Sequence, residues 1–373
     1  MTASEDISPE VVWKTLREKL IDLGASEEET NAAAGQSLEQ LAILVARHVS
    51  FPGARRYTPA DVYRLAGAPE ETARALWRAM GFPEVPDDER AFTDADVEAV
   101  RIATALFDRA GMDEAIVLQQ ARTMGQAAAR LAAAHQDVIG EVIHVEDPLL
   151  AARESVSLAE EVLPTIDHLI AYMYRRHLAA AIEQRMLTQP TEEGGVTMSI
   201  GFADLSGFTE RSQELDVREL SELVDRFNSA TAGVVAQCAG RVIKTIGDEI
   251  MFTTLGASAA ATLAIRLVEE VSGRNDLPEL KVGLATGVVI PREGDIFGPP
   301  VNLASRVVTT AIPGSVLIDE ATRAALEGVD GFRFSDVGPK RLKGIGVVHL
   351  HRLRRADDEQ SDTRHGSRRR VRG

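Results

Sequence analysis

With a single cysteine, Cys238, among 373 residues, the chain has no intrachain disulfide and no cysteine-based metal knuckle. The expected setting for that thiol is the usual one for a free cysteine, a small buried apolar residue in a helix. No run of about 18 apolar residues occurs, so no membrane-spanning helix is expected. The first residues, MTASEDISPE, lack the basic-then-apolar order of a secretory leader. Positive charge is scarce as well. A net charge of -16 argues against a general nucleic-acid-binding surface and against charge-driven docking on anionic lipid. No Gly-x-x-x-x-Gly-Lys-Ser/Thr loop is present, so any bound nucleotide must have its phosphates held in another way. These absences predict a cytoplasmic protein with no membrane partner, and they count against nucleic acid as a partner.

What is present is an ordinary globular composition, 45% hydrophobic and 26% charged, in a length that suits two or three domains. Residues 1–156 read as an all-helical domain. Val11, Val12, Leu16, Leu20 and Leu23 fall at helical spacing before Gly24, and a second apolar helix covers Leu38 to Val49. In residues 57–101, Thr58-Pro59 places a hydroxyl at an N-cap and proline at the first helical position. A second helix begins after Gly67-Ala68-Pro69, and Arg90-Ala91-Phe92-Thr93 leads into a third. This stretch resembles the winged helix-turn-helix of MerR-type regulators. Its charge does not suit a duplex, which calls for a positive footprint: it holds five arginines, no lysine and ten acids, 5 - 10 = -5. A helical module redeployed for regulation fits that balance better than DNA binding.

Residues 157–189 form a candidate linker helix, with Leu158, Val162, Ile166, Leu169, Ile170, Met173, Leu178, Ala181 and Ile182 roughly on one stripe. Such a stripe is expected to be buried, either inside the N-terminal domain or across a dimer where it would transmit the N-terminal state. Gln189-Pro190-Thr191-Glu192-Glu193-Gly194-Gly195 is a polar break, and the pattern beyond it changes to strands alternating with helices. Strands are expected over Val196–Ala203, in a hairpin over Val242–Phe252, and over Lys281–Ile290, Val316–Ile318, Phe332–Val337 and Val347–Leu353. Helices are expected over Val217–Gln237, Ala257–Val271 and Pro299–Thr310. The order implies an α+β domain over 190–353, with helices on one face of a largely antiparallel sheet. The tail, 354–373, is nearly devoid of apolar residues and is expected to be a disordered basic end.

The chemistry concentrates in three stretches. In SIGFADLSGFT a strand ends at Asp204 and turns through Ser206, Gly207, Phe208 and Thr209, whose backbone N–H groups are candidates for cradling a triphosphate. VIKTIGDEIMF reads as two apolar runs around a polar Lys-Thr-Ile-Gly-Asp turn; Lys244 and Asp248 are four apart, a spacing that keeps both on one face of a regular strand, while Gly247 lets the backbone bend between them. Two aspartates at strand ends mean little alone. Facing a shared cleft, Asp204 and Asp248 have the hard oxygens that suit two Mg²⁺ or Mn²⁺ ions for phosphoryl chemistry. In GDIFGPPVNLASRV, Asp295 lies in a strand-to-helix loop, and Asn302 and Arg306 share one helical face, suited to a ribose and a phosphate or simply solvated. Pro299-Pro300 stiffens the loop between them. Lys340-Arg341-Leu342-Lys343-Gly344 is read as a basic turn, from which Lys343 either reaches the phosphates or stays solvated.

FADLSGFT, VIKTIGDEIMF and GDIFGPPVNLASRV, in that order, resemble the catalytic domain of class III adenylyl cyclases over about 196–353. The resemblance implies a ferredoxin-like core acting as a head-to-tail homodimer with composite sites. It implies metal binding by Asp204 and Asp248, adenine recognition by Lys244 and Asp295, and transition-state roles for Asn302 and Arg306. The two aspartates would come from one protomer and the other four residues from its partner. The acidic helical half is most similar to soluble mycobacterial-type cyclases with an autoinhibitory, pH-responsive regulatory domain.

The adenine assignment also stands on chemistry. Adenine offers an acceptor at N1 and a donor at N6, which a lysine and an aspartate complement. Guanine reverses both groups and leaves two unpaired polar groups, at about 1–3 kcal/mol each. The expectation is conversion of ATP to cyclic AMP and pyrophosphate. The alternatives are a guanylyl cyclase and, from another class, a DNA-binding regulator with a degenerate nucleotide-sensing domain. For regulation, imidazole titrates in the physiological range, and His168 and His177 on the linker helix are the candidate proton sensors among five N-terminal histidines.

Overall fold

Two units make up the chain, Met1–Ala181 and Ile182–Gly373, in a computed structural model that describes residues 9–36, 38–142, 148–187, 190–191 and 194–357. The first unit is built of helices: α1 (Pro9–Asp22), α2 (Glu27–Gln36), α3 (Leu38–Ser50), α4 (Pro59–Ala66), α5 (Glu70–Ala79), α6 (Asp94–Ala110), α7 (Glu114–Val142) and α8 (Pro148–Leu187). Leu16, Leu20, Ala25 and Val45 form one small core, with Trp13, Leu44 and Val49 against it. Val62, Ala68, Ala73, Phe92, Val97 and Val100 form a second. Local capping starts the helices around that second core. Thr58 and Asp61 make a reciprocal capping box with Pro59 at the first helical position, and Thr93 and Asp96 repeat the box at α6. Arginines of this region are tied to acids, in Arg64–Asp61, Arg74–Glu70, Arg74–Asp87, Arg78–Glu84 and Arg101–Glu98.

Helix α8 runs through the expected linker, and the division between the units falls inside it. Of its apolar stripe, Val162, Ile166 and Ile170 are half-buried, whereas Leu169, Met173, Leu178 and Ile182 are 52%, 45%, 44% and 54% exposed. The periodicity marks a face that favours burial, and among the described residues these four side chains stay open.

The second unit runs β1 (Val196–Leu205), α9 (Phe208–Arg211), α10 (Val217–Gln237), β2 (Arg241–Ile246), β3 (Glu249–Thr254), α11 (Ala257–Ser272), β4 (Leu280–Arg292), β5 (Asp295–Phe297), α12 (Pro299–Thr310), β6 (Val316–Asp319), α13 (Glu320–Ala325), β7 (Phe332–Leu342) and β8 (Gly346–Arg355). The strands order as β2-β3-β1-β4-β6-β8-β7, with β5 paired to β4. The segment β1-α10-β2-β3-α11-β4 with order β2-β3-β1-β4 is the ferredoxin-like arrangement. Among the described pairs only β4–β6 is parallel.

Alternation along β1 shows how the layers form. Ala203 and Leu205 join α10 and α11 in one core, with Leu223, Phe227, Leu263 and Leu267. Met198, Ile200 and Phe202 point the other way, toward Ala304 and Val308 of α12. Helices therefore cover both faces, not one. The reason is that β1 is apolar at successive positions rather than alternately, as a strand buried on both faces must be. Full burial of side chains such as Phe227 and Phe252 contributes roughly 1.5–3 kcal/mol each. A capping box, Asp216 with Glu219, starts α10.

Three further expectations change. Lys340, Arg341 and Leu342 belong to β7, which runs on to Leu342 because its partner β8 is long enough to pair with it; the turn is only 343–345. Cys238 is not inside a helix but caps the end of α10, half-buried, where its sulfur accepts a hydrogen bond from Arg266 at 3.3 Å. Arg354 and Arg355, assigned to the tail, lie in β8, and Arg355 is held by Glu269 at 2.8 Å. The expected disorder of the remainder, 358–373, falls outside the described residues.

Helix α12 rests on a strip of small residues in β4. A Cβ on Gly287 would stand 2.8 Å from Pro300, and one on Gly283 would stand 2.3 Å from Val308 N and 2.8 Å from Ala304 O. Four strand residues and eight helical residues both span about 12–13 Å, so α12 lies antiparallel along β4. Gly283→Ala is expected to cost about 1–3 kcal/mol of unfolding free energy through overpacking against helix backbone, read from urea denaturation. An unchanged midpoint would mean that α12 is free to move off the sheet.

Candidate active site

The α12-facing positions of β1 continue from Phe202 to Asp204, so the strand that builds the core also ends in a carboxylate on that face. Register places Asp204 between Glu249 on β3 and Lys281 on β4. The Lys281 ammonium lies 2.8 Å from its carboxylate. The β2–β3 hairpin turns through Gly247 and Asp248, and Leu205 N–H donates to Asp248 O at 3.2 Å, which pins that turn beside the end of β1. Burial, followed by the charge of Asp204, pushes the Asp248 carboxyl up to about 6. Burial and then the charges of Asp204 and Asp248 push Glu249 up to about 7. Three carboxylates thus face one lysine. An oxygen-only donor set carrying uncompensated negative charge fits a hard divalent cation.

Asp248 lies in the turn rather than in a strand, and the β2–β3 register shifts between Val242 and Lys244. Gly247, at φ 63°, bends the backbone between Lys244 and Asp248 as the polar turn implied, so the two do not share a strand face. Lys244 instead meets Asp295, its Nζ donating to Oδ2 at 2.6 Å. Asp295 begins β5 directly after a two-residue turn, Glu293-Gly294, with both φ positive at 56° and 80°, the backbone of type I′ hairpin loops. Its other oxygen accepts the Ile296 N–H at 2.8 Å. Burial opposes ionisation of Asp295, but Lys244 and the Ile296 amide outweigh it and hold the carboxyl below its usual range.

Pro299 and Pro300 occupy the first two positions of α12, where no intrahelical N–H is needed, so they start the helix without cost. Asn302 and Arg306 follow one turn apart, both exposed. Together with Lys343 and Gly344 of the β7–β8 turn they line an open cleft of about 850 Å³. Among the described residues neither the Asn302 nor the Arg306 side chain has a hydrogen-bonding partner.

The proposed phosphate loop is only partly available. Ser206 N–H already donates to Glu279 O at 2.9 Å, whereas Gly207, Phe208 and Thr209 open α9, where first-turn N–H groups have no intrahelical acceptor. His168 and His177 stand exposed on α8, and the His168 ring contacts Pro164 O at 3.0 Å. The structure thus gathers Asp204 with Asp248, Lys244 with Asp295, and Asn302 with Arg306 and Lys343. Glu249 and Lys281 were not foreseen, because only cross-strand register brings them to Asp204.

The raised carboxyls give a pH signature. Unfolded carboxylates ionise near 4, whereas Asp248 and Glu249 ionise at about 6 and about 7. Between those values the folded state holds more protons, so stability falls as pH rises through the window. In divalent-free buffer the melting temperature is expected to drop from pH 5 to pH 8. Asp248→Asn should flatten that slope, and Mg²⁺ or Mn²⁺ should offset it. A slope that is absent in the parent protein contradicts the charge assignment.

Residues 191–355 match the Adenylate and Guanylate cyclase catalytic domain family, and residues 11–182 match the Adenylate cyclase regulatory domain family. An adenylate cyclase of Streptomyces coelicolor is 39% identical over 271 residues, covering 72% of this chain and 71% of that protein. A pH-sensitive adenylate cyclase of Mycobacterium tuberculosis is 31% identical over 354 residues, covering 91% of this chain and 87% of that protein. The crystal structure of an adenylyl cyclase from P. aeruginosa aligns with a TM-score of 0.39 at 23% identity, covering 44% of this chain and 97% of that one. The chain belongs to the class III adenylate cyclase family, with an adenylate cyclase regulatory domain ahead of the cyclase catalytic domain.

Proposed function

We propose that this chain converts ATP to 3′,5′-cyclic AMP and pyrophosphate. The observation that carries this reading is the Lys244–Asp295 pair, a donor and an ionised acceptor side by side at 2.6 Å. Adenine N1 accepts from the lysine and adenine N6 donates to the aspartate. Asp204 and Asp248, with Glu249 behind them, would hold two Mg²⁺ or Mn²⁺ ions, which when bound acidify the ribose 3′-hydroxyl and neutralise the triphosphate. Arg306 stabilises the negative charge that develops at the α-phosphoryl group during in-line attack, and Asn302 holds the ribose for it. Lys343 reaches the phosphates from the same cleft, and the Gly207–Thr209 amides cradle them.

The working unit in this reading is a homodimer in which the two aspartates of one protomer face Lys244, Asp295, Asn302 and Arg306 of its partner. Two features support it. The Asn302 and Arg306 side chains lack partners among the described residues of their own chain, and α8 leaves its apolar side chains uncovered. The functional division runs as a regulatory part over 1–156, a transmitting helix over 157–189 and a catalytic part over 190–353, with autoinhibition as the mode of control. No helix of the described residues is long and apolar enough to cross a membrane, and we place the protein in the cytoplasm. The arginines of 57–101 that are paired with acids present no footprint for nucleic acid.

With equal ATP and GTP, cyclic AMP is expected to exceed cyclic GMP by tenfold or more, since two mismatched groups cost about 1–3 kcal/mol each. Dominant cyclic GMP would reverse the substrate assignment. If His168 and His177 sense protons, replacing both shifts the pH–activity profile; an unchanged profile removes them from regulation.

A further inference from the structure

The face of the sheet opposite α12 carries a second cluster of metal-ligating side chains. On β7, Phe332 and Phe334 pack against the α10/α11 core, and the next residue of that series is Asp336. On β8, Leu353 joins the same core, followed on that face by His351 and His349. Two apolar rows therefore end in a polar group, with Asp336 directly opposite His351 in the register. The Asn302/Arg306 cleft lies against α12 on the other face, so these residues are outside the proposed cyclase site.

The ligand atoms of Asp336, His349 and His351 all lie within 4.8 Å of one another. His349 Nε2 is 2.6 Å from Asp336 Oδ1, and His351 Nε2 is 2.6 Å from Glu320 Oε2. The two rings stack with centroids 5.0 Å apart. Backbone geometry holds the aspartate in place: β7 bulges between Asp336 and Gly338, and the Gly338 N–H donates to Asp336 Oδ1 at 2.8 Å. His351 is buried at 8% exposure, which fixes one ligand, whereas Asp336 and His349 reach solvent and can adjust.

We propose that Asp336, His349 and His351 form a binding site for a divalent transition-metal ion of the Zn²⁺ class. Two imidazole nitrogens and one carboxylate oxygen make a borderline donor set that suits Zn²⁺, Co²⁺ or Ni²⁺, where Mg²⁺ and Ca²⁺ prefer oxygen alone. Zn–N and Zn–O bonds of about 2.0–2.2 Å at tetrahedral angles set ligand atoms about 3.3–3.5 Å apart, which the exposed Asp336 and His349 side chains can reach by small rotations. The ion takes the place of the hydrogen bonds that His349 and His351 now share with Asp336 and Glu320. Water, or Glu320 beside His351, completes the tetrahedron. The bound ion clips β7 to β8, the hairpin whose turn carries Lys343 into the α12 cleft.

The test uses the untagged full-length protein, stripped of metal and titrated with Zn²⁺ against a chromophoric chelator, with Co²⁺ as the spectroscopic probe. A single Zn²⁺ is expected to remain bound in Asp204→Asn/Asp248→Asn, with Co²⁺ giving the intense visible bands of a tetrahedral site. His349→Ala and Asp336→Asn should each weaken that binding by at least about tenfold, the scale that even outer-shell changes reach. Their metal-free melting temperatures should stay near the parent value, since both residues are exposed. Equal Zn²⁺ affinity in parent and His349→Ala, or Zn²⁺ binding that disappears with Asp204 and Asp248, would overturn the proposal.

Discussion

Helix α12 approaches β4 so closely that a single methyl group at Gly283 would overlap helix backbone. Much of the candidate site follows from that seat. Gly283, Ala285 and Gly287 make a flat strip, and the helix lying on it carries Asn302 and Arg306 outward at a fixed height. The two prolines that start α12 and the β4–β5 turn before it set where that helix begins. The same short segment brings Asp295 to Lys244. Packing of small residues in one strand thus becomes the position of the Lys244–Asp295 pair and of the exposed Arg306.

Charge is organised around the ends of the strands on the same side. Asp204, Asp248 and Glu249 crowd against Lys281, and the cost of that crowding appears as carboxyls that hold their protons to about 6 and about 7. Structure that serves stability alone would not gather three acids around one base. A site that accepts cations and a polyanion together would, because each charge then compensates another when the site is filled. The Asp336/His349/His351 group on the opposite face differs in kind, with nitrogen donors and hydrogen-bonded carboxylates, so the two sites should sort metals by chemistry.

Much of the domain order was legible in the sequence because its signals are local. Thr58 and Pro59 marked the start of α4, α12 was expected over Pro299–Thr310, and the pairing of Lys244 with Asp295 was expected from a motif. What was not legible depended on tertiary pairing. Glu249 and Lys281 reach Asp204 only through strand register, which a single strand does not encode. The length of β7 and the second helical layer likewise follow from partners distant in the chain. His349 and His351 become a cluster only once β7 and α13 bring Asp336 and Glu320 beside them. The stripe on α8 was legible as apolar, yet the side chains remain exposed because periodicity does not name the surface that covers it.

If one active site is assembled from two copies of this chain, subunit complementation restores it. Asp204→Ala and Arg306→Ala are each expected to lack cyclic AMP formation from ATP with Mn²⁺. Mixed and allowed to exchange subunits, they should regain activity, because one heterodimer site then receives intact aspartates from one copy and an intact arginine from the other. A mixture that forms heterodimers yet stays as inactive as its components would contradict the account.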